Sequence, residues 1–173
     1  VTPTTRMTRM TRMTRTTTTT ATTPATTMAA TTMATRAAAD AQTVAAAVHS
    51  AAVTIVAVAA GTYAEPIQVL RPVNLWGVCP ERVTIVSKTA DAVDCRARPI
   101  CVLPGGDGSV IGGITLDGGV AVSEAHDVTF DRVHIRDSLL WGLAVFGAGV
   151  PTSITLSGSL FEGNVDINLV VVS

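Results

Sequence analysis

The chain has 173 residues, 47% of them hydrophobic, and a formal net charge of −1. That length suits one domain with one core. The charge is unevenly placed: residues 1–36 hold 5 of the 12 basic residues (Arg6, Arg9, Arg12, Arg15, Arg36) and no acid, which leaves 7 basic residues against all 13 acids, a net of −6, in the rest. Such a body has a single lysine, Lys88, and no clustered basic face, so a nucleic-acid partner is excluded.

Residues 1–36 differ in kind from the other 137. They contain 18 threonines, all five methionines and the triplet repeat "TRMTRMTRMTR", with no Leu, Ile or aromatic residue. Nothing in them offsets the entropy of ordering, so they read as a low-complexity, disordered tail. Two other readings stay open: a Thr-rich glycosylated stalk, and an out-of-frame or repeat-slipped translation. "VTPTTRMTRM" has no hydrophobic stretch after its charges and is no signal peptide. "AAAVHSAAVTIVAVAA" is too short for a membrane span and is interrupted by His49 and Ser50, so no transmembrane segment is expected.

The folded domain is expected over residues 37–173. In "DAQTVAAAVHSAA", Val44 and Val48 lie four apart, with Ala47 and Ala51 beside them. This predicts a short amphipathic helix, with Asp40 or Thr43 as its N-cap. The period then becomes two. Val53 with Ile55, Ile67 with Val69, Val73 with Leu75, Val83 with Ile85, Ile100 with Val102 and Ile114 with Leu116 each mark a short strand. Val120 with Val122, Val128 with Phe130, Val133 with Ile135, Leu143 with Val145, Ile154 with Leu156 and Leu169 with Val171 continue the series. No long helical pattern intervenes, which disfavours a doubly wound α/β fold.

A repeat decides the architecture. "VTFDRVHIRDSLLWGLAVFG" from Val128 aligns without a gap on "ITLSGSLFEGNVDINLVVVS" from Ile154, at an offset of 26 residues. A looser copy, "VIGGITLDGG", places Ile111 on Phe130, Ile114 on Val133 and Leu116 on Ile135. A fixed period of core positions across short strands predicts a solenoid whose turns cover one another. The fold class is therefore all-β: a right-handed parallel β-helix of four to six coils, led by a short capping helix and preceded by the tail. Val44 and Val48 are expected to cover the first open end. The last strand, "NLVVVS", is as apolar as any other. Further coils or a separate cap are expected after Ser173, and end-to-end self-association through the uncapped coil without them.

The segment "VTIVAVAAGTYAEPIQVLRPVNLWG" resembles the opening coil of parallel β-helix proteins of the pectin-lyase-like superfamily, a capping helix followed by "VxVxxGxYxExIxV". "VHIRDSLLWGLAV" and "GSLFEGNVDINLVV" are similar to that group's "xIxxSxFxxNxxxGIxV" coils. "LWGVCPERVTI" and the Thr-rich lead-in look most like its secreted or cell-surface bacterial members. The resemblance covers residues 40–173 and implies a non-catalytic extracellular or cell-surface module, with polysaccharide as its candidate ligand. The alternative it implies is a pectin esterase or lyase acting on acidic polysaccharide.

Candidate site residues come from the alignment. Asp117, Arg136 and Glu162 fall in one column on an outer face, with Asp131 and Asp137 nearby. Two readings are open: a ladder of surface ion pairs, or a sugar-binding groove in which carboxylates and a guanidinium meet hydroxyls or uronates. Trp141 offers a stacking face, although its alignment with Ile167 points it inward. "EGNVDINLV" is similar to the pectin methylesterase segment "GTVDFIFG", and "RDSLLW" stands where that family has "QDTLY". That match would make Asp166 the nucleophile and Asp137 the acid/base. Arg136 replaces the family's glutamine, however, the motifs lie further apart, and the aromatics after Asp166 are absent, so no catalytic residue is assigned. His126 and His134 have no serine or cysteine nucleophile in a recognisable setting and are expected on exposed coil positions.

Glu65 is expected as a solvated corner residue or a partner for Arg71, Gly61 as a turn, and Tyr63 as shelter for the corner. Cys79, Cys95 and Cys101 have no metal-ligand spacing, so no metal site is assigned. Cys95 and Cys101 bracket "RARPI" and are either a disulfide, implying an oxidising compartment, or two small buried hydrophobes. Asp91, Asp94 and Asp107 could hold Ca2+ in a loop, but no EF-hand or RTX-type spacing supports it, and no cofactor is expected.

Overall fold

The computed structural model describes residues 43–87 and 95–172. The Thr-rich tail, Asp40, Lys88, Asp91 and Asp94 lie outside them. Chain order within the described residues is one α-helix and then fifteen short strands, with a 3-10 turn between the fifth and sixth. The helix is α1 (Val44–His49). The first coil is β1 (Ile55–Val58), β2 (Gly61–Tyr63) and β3 (Ile67–Val69), and the second β4 (Asn74–Gly77), β5 (Val83–Val86) and β6 (Ile100–Val102). The third is β7 (Val110–Gly112), β8 (Thr115–Asp117) and β9 (Val120–Ser123), and the fourth β10 (Val128–Asp131), β11 (His134–Arg136) and β12 (Trp141–Phe146). The fifth is β13 (Ile154–Ser157), β14 (Leu160–Glu162) and β15 (Ile167–Val172).

Every third strand stacks on the one before it. The sheets run β1-β4-β7-β10-β13, β2-β5-β8-β11-β14 and β3-β6-β9-β12-β15, each of five strands and all paired in parallel. This is a parallel β-solenoid of five coils. The register follows the repeat: Val128 pairs with Ile154, Phe130 with Leu156, Ile135 with Phe161 and Leu143 with Leu169. The earlier copy also holds, with Ile111 on Phe130 and Leu116 on Ile135.

The core is the column of side chains inside the three sheets. Leu75, Ile111 and Phe130 stack in the first sheet, Ile85, Leu116 and Ile135 in the second, and Ile67, Ile100, Val120 and Leu143 in the third, all of them inaccessible to solvent. Burying each such side chain is favourable by about 1.5–3 kcal/mol. In β1 the phase differs from expectation. Val56 and Val58 face the core, Ile55 is half-buried and Ala57 is exposed. Val53 belongs to the turn leaving α1, where its N–H donates to the Ser50 carbonyl, so it does not set the strand's alternation. Gly61 likewise opens strand β2 instead of making a turn.

The helix closes the first coil with Val44 and Val48 buried, packing on β1 and β3. Six residues are too few for a helix to be stable alone, so its ends must be held. Thr43 is the N-cap, accepting from the Ala46 N–H at 3.1 Å. Glu65 is neither a solvated corner nor an Arg71 partner. Its carboxylate reaches back to accept from the Val44 and Ala45 N–H groups at 2.9 and 3.2 Å, which suits both the orphan donors and the positive end of the helix. Arg71 instead donates to the Ser50 carbonyl at the other end of α1. Tyr63 packs against the core edge, and its hydroxyl donates to Ala59 O at 2.9 Å.

The outer face of the third sheet is covered near Cys101. A 3-10 turn, Cys95–Ala97, packs on β6 and β9 and is tied down by a Cys95–Cys101 disulfide. Cys101 and Ala121 are fully buried beneath this flank. No helix among the described residues is long and apolar enough to cross a membrane.

Candidate functional site

The fourth coil differs from its neighbours at both ends of β11. Each coil must turn sharply between the first and second sheets and again after the second. At the first corner the third coil has Gly113 (φ +63°) and the fifth Gly158 (φ +55°), while the fourth has Arg132 (φ +50°). At the second corner Gly118 and Gly163 flank Asp137 (φ +51°). Left-handed backbone is free for glycine and costs a residue with a Cβ roughly 1 kcal/mol or more. Four described residues other than glycine carry that cost: Glu124 and Asp127 in the segment before β10, and Arg132 and Asp137, which bracket His134 and Arg136. Strain of this kind collects where a side chain is wanted.

From "DRVHIRD" the side chains of Asp131, Arg132, His134, Arg136 and Asp137 thus form one polar band. Val133 and Ile135 alternate with them into the core. Each basic side chain in the band has an acid beside it. Arg132 Nε lies 2.9 Å from Asp131 Oδ2, and Arg136 reaches Asp117 at 3.4 Å and Asp137 at 3.7 Å. His134 Nε2 meets Glu162 Oε2 at 3.0 Å. The aligned column of Asp117, Arg136 and Glu162 is in register, but its contacts are shared out. Arg136 takes Asp117, which is only 8% exposed, and Glu162 belongs to His134.

Beside this band a groove of about 440 Å3 opens at the corner of the first and second sheets. One wall is the 77–81 loop with Cys79 and Glu81, another is Arg132 and His134, and the far rim is Gly158 and Leu160. Pro80 holds the loop over the second sheet by accepting from Thr115 Oγ1 at 2.8 Å. The Glu81 carboxyl is held below its usual range by a hydrogen bond from its own backbone, by the Cys79 thiol and by the nearby His134. Cys79 is the free cysteine of the described residues.

Trp76 does not line the groove; it lies on β4, on the strand that leads into the 77–81 loop. Its indole extends across Gly112, where an added Cβ would come within 2.2 Å of the ring, so glycine is required there. The Arg132 guanidinium stands over the same ring at 5.7 Å from its centroid. Trp141, the aromatic singled out by sequence, lies on the third-sheet side. It is half-buried, 6.0 Å from the Phe146 ring and beneath the Arg98 guanidinium at 5.9 Å.

Asp137 and Asp166 are not brought together by any hydrogen bond or ion pair among the described residues. Asp137 faces Arg136 and the Gly163 corner, and Asp166 is placed by its N–H donating to Leu140 O at 3.0 Å. His126 lies at a different corner, 3.1 Å from Asp127 and 3.6 Å from Asp107. No group of three or more His, Cys, Asp or Glu among the described residues is arranged to hold a metal ion.

Sequence reasoning missed Arg132, Trp76, Glu81 and Arg98. Arg132 was legible in principle, since it aligns with glycine in both neighbouring coils. Arg98 is 2% exposed and donates to Trp141 O at 2.9 Å and Val120 O at 3.4 Å. Burial pulls its guanidinium below its ordinary pKa. Its role is to fasten the disulfide-bonded flank to the third and fourth coils. Compared with protein families, with curated proteins and with solved structures, the chain matches none.

Proposed function

We propose that the chain is a non-catalytic β-solenoid module that binds polysaccharide along the fourth coil. The observation that carries this is the band from Asp131 to Asp137, built on two strained corners beside an open groove and an indole ring. Carboxylates, a guanidinium and an imidazole spaced along a strand suit a chain of hydroxyl groups, and an aromatic face suits a sugar ring. Kinship with the pectin-lyase-like superfamily and placement outside the cell or on its surface belong to the same proposal. The "VAVAAGTYAEPIQV" coil supports the first, and a disulfide at Cys95–Cys101 supports the second.

The test is retention on immobilised polysaccharides, with pectin and polygalacturonate incubated in parallel. Retention is expected to fall at least about tenfold in a His134→Ala/Glu162→Ala variant that still melts cooperatively. Release of methanol or unsaturated uronate, abolished by Asp137→Ala or Asp166→Ala, would replace this reading with the esterase or lyase one. The proposal includes self-association through the fifth coil, whose Leu160, Leu169 and Val171 are 55%, 42% and 66% exposed. Light scattering at increasing concentration checks that part, and a mass that stays monomeric rejects it.

A further inference from the structure

Resting on that reading, we infer that the groove selects a neutral, hydroxyl-rich glycan over an acidic one, with the indole of Trp76 as its stacking face. Each basic group of the band already stands beside an acid. Arg132 meets Asp131 through Nε at 2.9 Å, Arg136 lies between Asp117 and Asp137, and His134 meets Glu162 at 3.0 Å. The remaining charged wall is Glu81, whose carboxyl is held toward its ionised form. The groove and band together present five carboxylates (Glu81, Asp117, Asp131, Asp137, Glu162) against two guanidiniums and one imidazole, on a body of net charge −6. An incoming carboxylate would meet an excess of like charge at the surface.

A neutral sugar meets the opposite situation. Its hydroxyls donate to the spare lone pairs of Asp131, Glu81 and Glu162, each of which is an acceptor-only group when ionised. Its apolar ring face needs an aromatic plane. Trp76 supplies one, kept flat by Gly112 beneath it and covered by a guanidinium whose side chain is itself 66% exposed. Arg132 can therefore move aside from the ring while staying on Asp131. No Cβ at Gly158 crowds it, since an atom there would come within 3.2 Å of Arg132 Cγ. The same acids that give the band its charge pairs thus act as its specificity filter.

The experiment uses the whole chain with matched oligosaccharides, a neutral set (galactan, glucan, xylan and mannan oligomers) and an oligogalacturonate of equal length. Binding is read by calorimetry and by quenching of Trp76 fluorescence in a Trp141→Phe background. At least one neutral oligomer is expected to bind about tenfold or more tighter than the oligogalacturonate at low salt, with an affinity that salt leaves almost unchanged. An Asp131→Asn/Glu162→Gln variant, checked for an unchanged melt, is expected to lose neutral binding and to gain binding of the acidic oligomer. Trp76→Ala, checked for an unchanged melt, is expected to weaken neutral-oligomer binding by calorimetry about tenfold, and unchanged affinity would remove Trp76 as the stacking face. If the oligogalacturonate binds more tightly than every neutral oligomer and is released by salt, the selectivity is overturned while polysaccharide binding stands. If nothing in either set binds, both fall.

Discussion

The fourth and fifth coils are two readings of nearly one pattern. They align over twenty positions without a gap and pair strand on strand, yet their interiors differ. Val128, Phe130, Ile135 and Leu143 are sealed from solvent, while their partners Ile154, Leu156 and Phe161 are half-buried and Leu169 is 42% exposed. A coil in a solenoid does not bury its own apolar face, because each face is closed by the coils above and below it. The same residue type at the same position is therefore worth different amounts in the two coils. The coils differ outside as well. The fourth places Arg132 and Asp137 where the fifth places Gly158 and Gly163.

The largest expected effect breaks the comparison inside the core. Phe130→Ala should cost about 3–5 kcal/mol, because a large ring leaves a closed cavity. Leu156→Ala, its partner one coil on, should cost less than about 2 kcal/mol, since water already reaches that site. Urea denaturation of both variants checks this. Equal losses would mean that the fifth coil is covered in solution.

The next effect is on the third sheet. Replacing both Cys95 and Cys101 by serine opens a short loop and should cost about 2 kcal/mol. It also frees the flank that carries Arg98 to Val120 O and Trp141 O. Thermal melts with and without reductant check it: reductant should lower the wild-type melting temperature and leave the double variant unmoved.

A smaller effect is expected at the helix. Glu65→Ala removes both acceptors for the Val44 and Ala45 N–H groups and should cost about 1 kcal/mol. Protection of the Val44 and Ala45 amides from hydrogen exchange should fall first, while the fourth coil keeps its protection. A loss that spreads evenly over all coils would show that the cap and the solenoid unfold as one unit.

These effects separate what was legible in the sequence from what was not. The coil register was legible because the period of two and the 26-residue offset are both imposed by the same core, so Phe130 over Leu156 followed from counting. The phase of β1 was not, because Val53 is apolar for the sake of the helix turn and mimics a strand position. Glu65 was misjudged because its partners, two backbone N–H groups twenty residues away, leave no mark in side-chain chemistry. The Asp117–Arg136–Glu162 column was visible as a register, but the choice of Glu162 for His134 depends on side-chain reach between coils. The groove was not visible at all. It needs Gly77 to Glu81 to rise beside Arg132 and His134, residues more than fifty positions apart that only the stacking of coils brings together.

The smallest effect sharpens the comparison at the corners. Asp137→Gly gives the fourth coil the residue that its neighbours have at that position, Gly118 and Gly163. Relief of the left-handed backbone should contribute up to about 1 kcal/mol, less for aspartate than for most residues because its short side chain tolerates this region. Against it stand the greater freedom of glycine in the unfolded chain and the lost pair with Arg136, which at 3.7 Å and half-exposed is worth at most about 0.5 kcal/mol. These contributions nearly cancel, so the net expectation is a change of no more than a few tenths of a kcal/mol, with weaker polysaccharide retention. The converse change, Gly163→Asp, should destabilise by about 1 kcal/mol or more. It would introduce the same strain, and its Cβ would lie 2.6 Å from Asp137 Oδ1, setting two carboxylates against each other. Melts of both variants, read beside binding, decide whether Asp137 is kept for function at a cost in stability. A clear loss of stability in Asp137→Gly would show instead that the corner is held by its ion pair, and would remove one of the two strained residues on which the site was identified.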